Sequence, residues 1–361
     1  MKVLFACGGS GGHITPAIAM AEIIKKHFPS AECAFVGNEN GMERRMAYDG
    51  GYLFYPIKIE GLHRSLSFRN FRTLLLAARA PARARQILKE FAPALVIGTG
   101  GYVSYPMIPA AKKLGIPTLL YEPNAIPGLS VRMTEKYADL LLLQFEACAA
   151  RLKHRERTRV IGAPLRTGFT QMTRSRARAH LGFGANDFIV LCFGGSLGAE
   201  CISTAATESF SRLEKQGITL IHATGKRLFE GLKARYPKEV REGKLLPYID
   251  DMPTYMAAAN VIVSRAGAMT LAEISRIGRA AVLIPSPYVA ENHQEKNALL
   301  YEKRGAALLV KEAALTPDSF SERILFLKQN PALLSRMEKN ASAVGVKNSE
   351  ECFLASLNEI L

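Results

Sequence analysis

Glycine-rich turns recur in this chain directly behind short apolar runs, and twice with nearly the same residues. Val3-Leu4-Phe5-Ala6-Cys7-Gly8-Gly9-Ser10-Gly11-Gly12 is answered by Ile189-Val190-Leu191-Cys192-Phe193-Gly194-Gly195-Ser196-Leu197-Gly198-Ala199. Both place Gly-Gly-Ser-x-Gly after a buried strand and before a helix, one domain's length apart. Around the first copy, strand-like runs at 3–7, 33–36, 94–97, 118–120, 140–143 and 159–161 alternate with helical spacing at 16–28, 71–91 and 105–114. Around the second, strands are expected at 188–193, 219–223, 261–264, 281–284 and 307–310, and helices at 200–215, 252–258, 270–277 and 294–303. Such alternation predicts parallel sheets with helices on both faces. The predicted class is therefore α/β, as two Rossmann-like, doubly wound domains. The first is expected over 1–164, completed by a C-terminal helix at 346–361, and the second over 165–345. Residues 151–185, with many Arg and several turn formers, read as a linker. A length of 361 residues suits two cores, since single cores stop growing near ~250–300 residues.

Composition removes several function classes. No stretch approaches the ~18 apolar residues of a spanning helix. Hydrophobic content of 48% with 22% charged residues excludes a largely disordered chain. Six scattered cysteines without a C-x-x-C pair argue against a zinc knuckle or a disulfide framework and suit the cytoplasm. The apolar start is too short for a secretion signal and runs straight into glycines, so it reads as a first strand. The formal charge is +15, and it is uneven: residues 1–163 hold 22 basic and 12 acidic groups. Residues 61–89 carry Arg64, Arg69, Arg72, Arg79, Arg83, Arg85 and Lys89 with no acid, interleaved with leucines, phenylalanines and Ile87. Such a segment fits an anionic membrane surface at about 1 kcal/mol per cation, or is a solvated helix face. Nucleic acid is not expected, because no zinc finger, RNP box or helix-turn-helix accompanies the charge.

The glycine loops point to anionic ligands. Gly8–Gly12, Gly98-Thr99-Gly100-Gly101-Tyr102 and Gly194–Ala199 each follow a strand. Without side chains they let a ligand meet backbone N–H groups at a helix start, where the dipole favours an anion. The P-loop pattern is absent, and Gly-x-Gly-x-x-Gly fails because position 14 is Ile. No D-x-D pair occurs, and Asp250 and Asp251 are adjacent and would point apart on an extended chain. Neither a metal nor a cofactor is expected. A fourth cluster, Ser264-Arg265-Ala266-Gly267-Ala268-Met269-Thr270-Leu271-Ala272-Glu273, also joins a strand to a helix. Glu273 there either accepts hydrogen bonds from a ribose diol or merely complements the helix dipole. The polar run 292–297 faces a site or solvent.

In order along the chain stand Gly-Gly-Ser-Gly-Gly-His at 8–13, Gly-Thr-Gly-Gly-Tyr-Val-Ser at 98–104 and Glu-Pro-Asn-Ala-Ile-Pro-Gly at 122–128. They are followed by Gly-Ala-Pro-Leu-Arg at 162–166, Gly-Gly-Ser-Leu-Gly-Ala at 194–199 and Tyr-Ile-Asp-Asp-Met at 248–252. Arg-Ala-Gly-Ala-Met-Thr-Leu-Ala-Glu at 265–273 and Asn-His-Gln-Glu-Lys-Asn-Ala at 292–298 close the series. Over essentially its whole length the chain resembles the MurG family of peptidoglycan N-acetylglucosaminyltransferases, which convert lipid I to lipid II. The resemblance implies a GT-B fold, two domains facing a cleft, working at the cytoplasmic face of the plasma membrane. It implies UDP-N-acetylglucosamine as donor, with Ile249 presenting backbone to uracil, Glu273 meeting the ribose, and Ser196 with Ala268, Met269, Thr270, Leu271 and Ala272 lining the diphosphate. Gln294 would bind sugar hydroxyls, Ser10, Gly11, Gly12 and Asn124 would approach the donor from the first domain, and Arg166 would lie near the phosphates. His13 is the choice for general base, its ordinary pKa suiting removal of the acceptor hydroxyl's proton; capping or binding of the acceptor diphosphate is the alternative. Gly100, Gly101, Tyr102 and Glu122 would lie on the acceptor side, and the 61–89 segment would seat the first domain on lipid.

Five positions depart from the family pattern. Tyr121-Glu122-Pro123-Asn124 stands for His-Glu-Gln-Asn, Tyr105 for a glycine, Leu197 for a Gln and Ala163 for an Asn; most are expected toward the acceptor or donor rim. Rival readings are a GT-B enzyme with another lipid acceptor, such as diacylglycerol, a UDP-sugar epimerase, and a non-catalytic UDP-sugar-binding scaffold.

Overall fold

The computed structural model describes residues 1–61, 68–166, 168–195 and 198–361. Seven strands form one sheet: β1 (Lys2–Ala6), β2 (Glu32–Gly37), β3 (Leu53–Pro56), β4 (Leu95–Gly98), β5 (Thr118–Glu122), β6 (Leu140–Leu143) and β7 (Thr158–Val160). They run parallel in the order β3-β2-β1-β4-β5-β6-β7, with Val3 paired to Cys33 on one side and Leu95 on the other. A second parallel sheet contains β8 (Phe188–Phe193), β9 (Ile218–Ala223), β10 (Leu245–Leu246), β11 (Val261–Ser264), β12 (Ala280–Leu283) and β13 (Ala307–Leu309). Its order is β10-β9-β8-β11-β12-β13. The two α/β units are residues 1–165 with 346–361, and residues 166–345.

Burial follows the pleat. In β1, Leu4 and Ala6 enter one layer of core while Val3 and Phe5 enter the other. Both faces are covered by helices, so from Val3 to Ala6 the strand is apolar at every position, as the buried part of a central parallel strand must be. The helix Ser349–Ile360 contributes Phe353 and Leu357 to the Phe5 layer. Burying a side chain of that size stabilises by about 1.5–3 kcal/mol, which is what holds the chain's end against the first sheet.

Two expectations change. Residues 151–185 are not a linker: they hold β7 and the helix Arg174–Leu181, which packs on the helix Met252–Ala258. Arg178 of this stretch, and Arg279 from outside it, are structural. Arg178 donates from Nε to the Ala258 carbonyl at 3.1 Å, and Arg279 from Nη2 to that of Ala257 at 2.7 Å. Positive charge thus sits at the negative end of the helix Met252–Ala258, whose other end carries the loop containing Ile249. The 61–89 segment is also divided. Residues 62–67 lie outside the described residues, and the helix Phe68–Phe91 buries Ala80, Ala84, Ile87 and Leu88 in the core. Ile87 and Leu88 are therefore core residues, whereas Leu75, Arg79, Arg85 and Lys89 are exposed. Among the described residues no helix is long and apolar enough to cross a membrane.

Candidate active site

Strand order reverses between β1 and β4 in the first unit and between β8 and β11 in the second. In open α/β sheets such switch points hold ligands, beyond the carboxyl ends of the strands. The four glycine clusters are the loops leaving those four strands.

At the first switch point, Ser10 is the N-cap of the helix Gly11–His27, and its side chain makes no capping hydrogen bond. Its carbonyl instead accepts the N–H groups of His13 and Ile14, at 3.0 and 3.2 Å. Gly11 and Gly12 open the first turn, and His13, half-buried, is the third helical residue. Its Nδ1 lies 3.0 Å from the Thr99 carbonyl oxygen. A carbonyl only accepts, so Nδ1 carries the proton and in the neutral ring Nε2 holds the lone pair. That is the tautomer a base needs. The β4 loop is shaped around this ring: a Cβ on Gly100, whose φ is +98°, would stand 2.5 Å from His13 Nδ1, and one on Gly101 would stand 2.1 Å from the Gly8 carbonyl oxygen. These two glycines are required by the fit of one loop against the other.

Tyr102 and Glu122 are poorly placed to act as bases. Burial, with the charges of Glu43 and Glu60 adding to it, pushes the Tyr102 phenol up to about 12. Glu122 is buried at the end of β5 and spends its carboxylate on its own loop. One oxygen accepts the Asn124 backbone N–H at 2.9 Å and its side-chain amide at 3.0 Å, and the other accepts Gly128 N–H at 2.7 Å. Asn124 is thereby held at the loop's turn. Two of the departures lie inward, not toward a rim. The Tyr121 ring is fully buried with its hydroxyl 3.1 Å from the Gly162 carbonyl oxygen, and Tyr105 packs on the core.

At the second switch point, Ser196 lies outside the described residues. Gly198 N–H donates to the Gly195 carbonyl at 2.9 Å, and the helix Glu200–Glu214 starts from Ala199 without a side-chain cap. The helix Ala268–Ile277 starts from Gly267, again without one. Leu271 N–H is taken by the Gly267 carbonyl at 3.0 Å, and Met269, Leu271 and Ala272 bury their side chains. Ala268, Met269 and Thr270 make up the first turn, while Leu271 and Ala272 belong to the helix body. Glu273 is the sixth helical residue, beyond the first turn where the dipole acts, so dipole complementation does not explain it. It sits in a recess. Burial lifts its carboxyl from 4.5 to about 7, with the Arg166 guanidinium pulling the other way. Ile249 is buried between β10 and the helix Met252–Ala258. Gln294 opens the helix His293–Lys303, and its Oε1 accepts Ser286 N–H at 2.9 Å, which leaves the amide NH₂ as its donor.

The structure thus gathers Ser10, Gly11, Gly12, His13, Gly100 and Gly101 in one place, and sets Glu273 near Arg166 in the other unit. Sequence reasoning missed the residues that hold the loops. Thr99 and Ser104 grip the β4 loop from within the quoted 98–104 motif. Arg265 pairs with Glu312 at 2.6 Å and donates to the Ile284 carbonyl at 3.1 Å, bracing the β11 turn. The signal for Thr99 was its place between glycines; Glu312 is remote in sequence and gave none. Among the described residues no three His, Cys, Asp or Glu side chains gather as a metal site requires.

Family models describing the glycosyltransferase family 28 N-terminal and C-terminal domains match residues 3–142 and 189–352. A protein of Acetivibrio thermocellus named UDP-N-acetylglucosamine--N-acetylmuramyl-(pentapeptide) pyrophosphoryl-undecaprenol N-acetylglucosamine transferase is 38% identical, covering 100% of this chain and 98% of its own. One of the same name from Alkaliphilus oremlandii is 35% identical over 100% and 99%. Among solved structures, Acinetobacter baumannii MurG superposes with a TM-score of 0.75 at 26% identity, covering 99% of each chain.

Proposed function

The chain belongs to glycosyltransferase family 28, and we propose that its two units divide a single displacement between them, the second holding the donor and the first activating the acceptor. The reaction moves N-acetylglucosamine from UDP-N-acetylglucosamine to the 4-hydroxyl of the N-acetylmuramyl sugar of lipid I, giving lipid II and UDP. What carries this assignment is that similarity to transferases of that name extends over the whole of both units.

His13 Nε2 takes the proton of the acceptor hydroxyl as its oxygen attacks the anomeric carbon. The bond from that carbon to the UDP oxygen breaks, and the configuration inverts. Negative charge grows on the departing diphosphate. The first-turn amides of the helix Ala268–Ile277 and the Arg166 cation meet it as fixed positive partners. Glu273 accepts hydrogen bonds from the ribose diol, backbone at Ile249 meets uracil, and the Gln294 NH₂ donates to a sugar hydroxyl. Exposed cations on the helix Phe68–Phe91 hold the first unit at an anionic lipid surface, as a peripheral protein on the cytoplasmic face. That surface is where a polyprenyl diphosphate acceptor would be met.

Transfer of labelled sugar from UDP-N-acetylglucosamine to lipid I in detergent, with EDTA present, tests the reading. Lipid II should form. Tight donor binding without transfer would sink it in favour of another acceptor or a non-catalytic scaffold.

A further inference from the structure

We propose that Thr99 and Ser104 are positioning residues for His13, a pair of buried hydroxyls that lock the catalytic ring in place and in its tautomer. The inference rests on the reading of His13 as the base. Thr99 is fully buried and grips His13 twice. Its carbonyl receives the ring's Nδ1 proton at 3.0 Å, and its Oγ1 donates to the His13 carbonyl at 2.7 Å. The residue that orients the ring thus also fixes the backbone from which the ring projects. One grip alone would leave the ring free to swing about the other.

Thr99 is itself held from below. Its N–H donates to the Ala6 carbonyl at 3.1 Å, continuing the β1–β4 ladder by one residue. Ser104, also fully buried, stands behind the loop. Its Oγ lies 3.0 Å from the carbonyl oxygens of Ala6 and Gly100, between which its single proton is shared, and accepts Gly100 N–H at 3.2 Å. Gly100 is the residue whose missing Cβ makes room for the His13 ring. A continuous path therefore runs from the central strand through Ser104 and the 99–100 backbone to the imidazole. A hydroxyl needed only for loop stability has no reason to bond the backbone of the residue whose ring its own carbonyl orients.

The test is a double-mutant cycle with Thr99→Val, which keeps shape and removes the hydroxyl, and His13→Ala, read on transfer to lipid I. Misplacing a catalytic group by about 1 Å costs on the order of 10²-fold. Thr99→Val is therefore expected to lower kcat about 10- to 100-fold, with KM for the donor within about 3-fold, and Thr99→Ser to recover most of it. In the His13→Ala background Thr99→Val should cost nothing further. Nitrogen-15 spectra of the imidazole should show Nδ1–H in the parent protein and mixed tautomers in Thr99→Val. Ser104→Ala, with a smaller loss of the same kind, serves if Thr99→Val does not fold. A full kcat in both hydroxyl variants, or an equal loss from Thr99→Val with and without His13, overturns the proposal. Undiminished transfer by His13→Ala would instead refute the base assignment beneath it.

Discussion

Replacing Glu273 by Gln should stabilise the second unit and weaken its grip on the donor. Burial lifts this carboxyl from 4.5 to about 7, against the pull of Arg166. The folded state therefore binds a proton more tightly than the unfolded chain between those values. Stability conferred on the protonated form is present below about 4.5 and is lost as the pH rises through 7. The shift corresponds to about 3 kcal/mol; the recess is partly open to water, which reduces this to about 2 kcal/mol. A neutral amide escapes that cost, so at pH 8 Glu273→Gln should melt roughly 4–8 °C above the parent, and at pH 5 nearly with it. Donor binding should move the other way. Two ribose hydroxyls donate best to an ionised carboxylate, so parental affinity for UDP-N-acetylglucosamine should rise between pH 6 and 8, and that of Glu273→Gln should stay flat. The sugar nucleotide is the right probe, because its phosphates are diesters with no proton to exchange near neutrality. Calorimetric melting and titration at the two pH values decide the matter. Equal pH dependence of melting in parent and variant would refute the desolvation argument. Equal affinities throughout would remove Glu273 from the ribose.

Two further outcomes follow from the loops and the surface. Glu122→Gln puts an NH₂ group against the N–H donors of Asn124 or Gly128, and should cost about 2–3 kcal/mol; unfolding of the first unit monitored by denaturant checks it, a loss below about 1 kcal/mol contradicting the clamp. Replacing Arg79, Arg85 and Lys89 together by Ala should weaken co-sedimentation with anionic vesicles on the order of 10²-fold, at about 1 kcal/mol per cation. Salt should abolish the parental binding, and equal binding to neutral vesicles would remove the electrostatic basis of the membrane reading.

The sheets were legible because a strand buried on both faces has to be apolar at every position; β6, β8 and β11 stand where their sequences put them. Less was visible at the edges. β3 is a short edge strand ending in Pro56, and β10 has two residues, so neither offers a run long enough to register. Arginine content misled at 151–185, because a guanidinium that reaches helix carbonyls looks in sequence like one that reaches water. The same confusion of faces put Ile87 and Leu88 on a lipid surface when they belong to the core. At the site, the residue types proposed to meet ligands were chosen from their chemistry. The residues that hold them were less legible: Thr99 and Glu312 find their partners, His13 and Arg265, on other elements, and no spacing rule links them.

Under the proposed function, the internal repeat gives one string of residues two roles. Gly-Gly-Ser-x-Gly follows the first strand of each sheet at the same topological position. In the first unit the helix starts at Gly11, inside the string, because the Ser10 carbonyl accepts His13 and Ile14. In the second, Gly198 N–H bonds back to the Gly195 carbonyl, and the helix begins only at Glu200. The residue after the string is then His13, in a first helical turn, in one unit and the N-cap Ala199 in the other. An imidazole there suits activation of a hydroxyl, which needs a proton acceptor of fixed tautomer. On the donor side the same group would gain a proton near a diphosphate, and its hold on the leaving group would vary with pH across neutrality. Backbone amides do not titrate, so on the proposed assignment a loop that ends in alanine would meet the phosphates with a charge that stays constant. On the proposed assignment, a three-residue difference in where the helix starts separates a place for a base from a place for an anion.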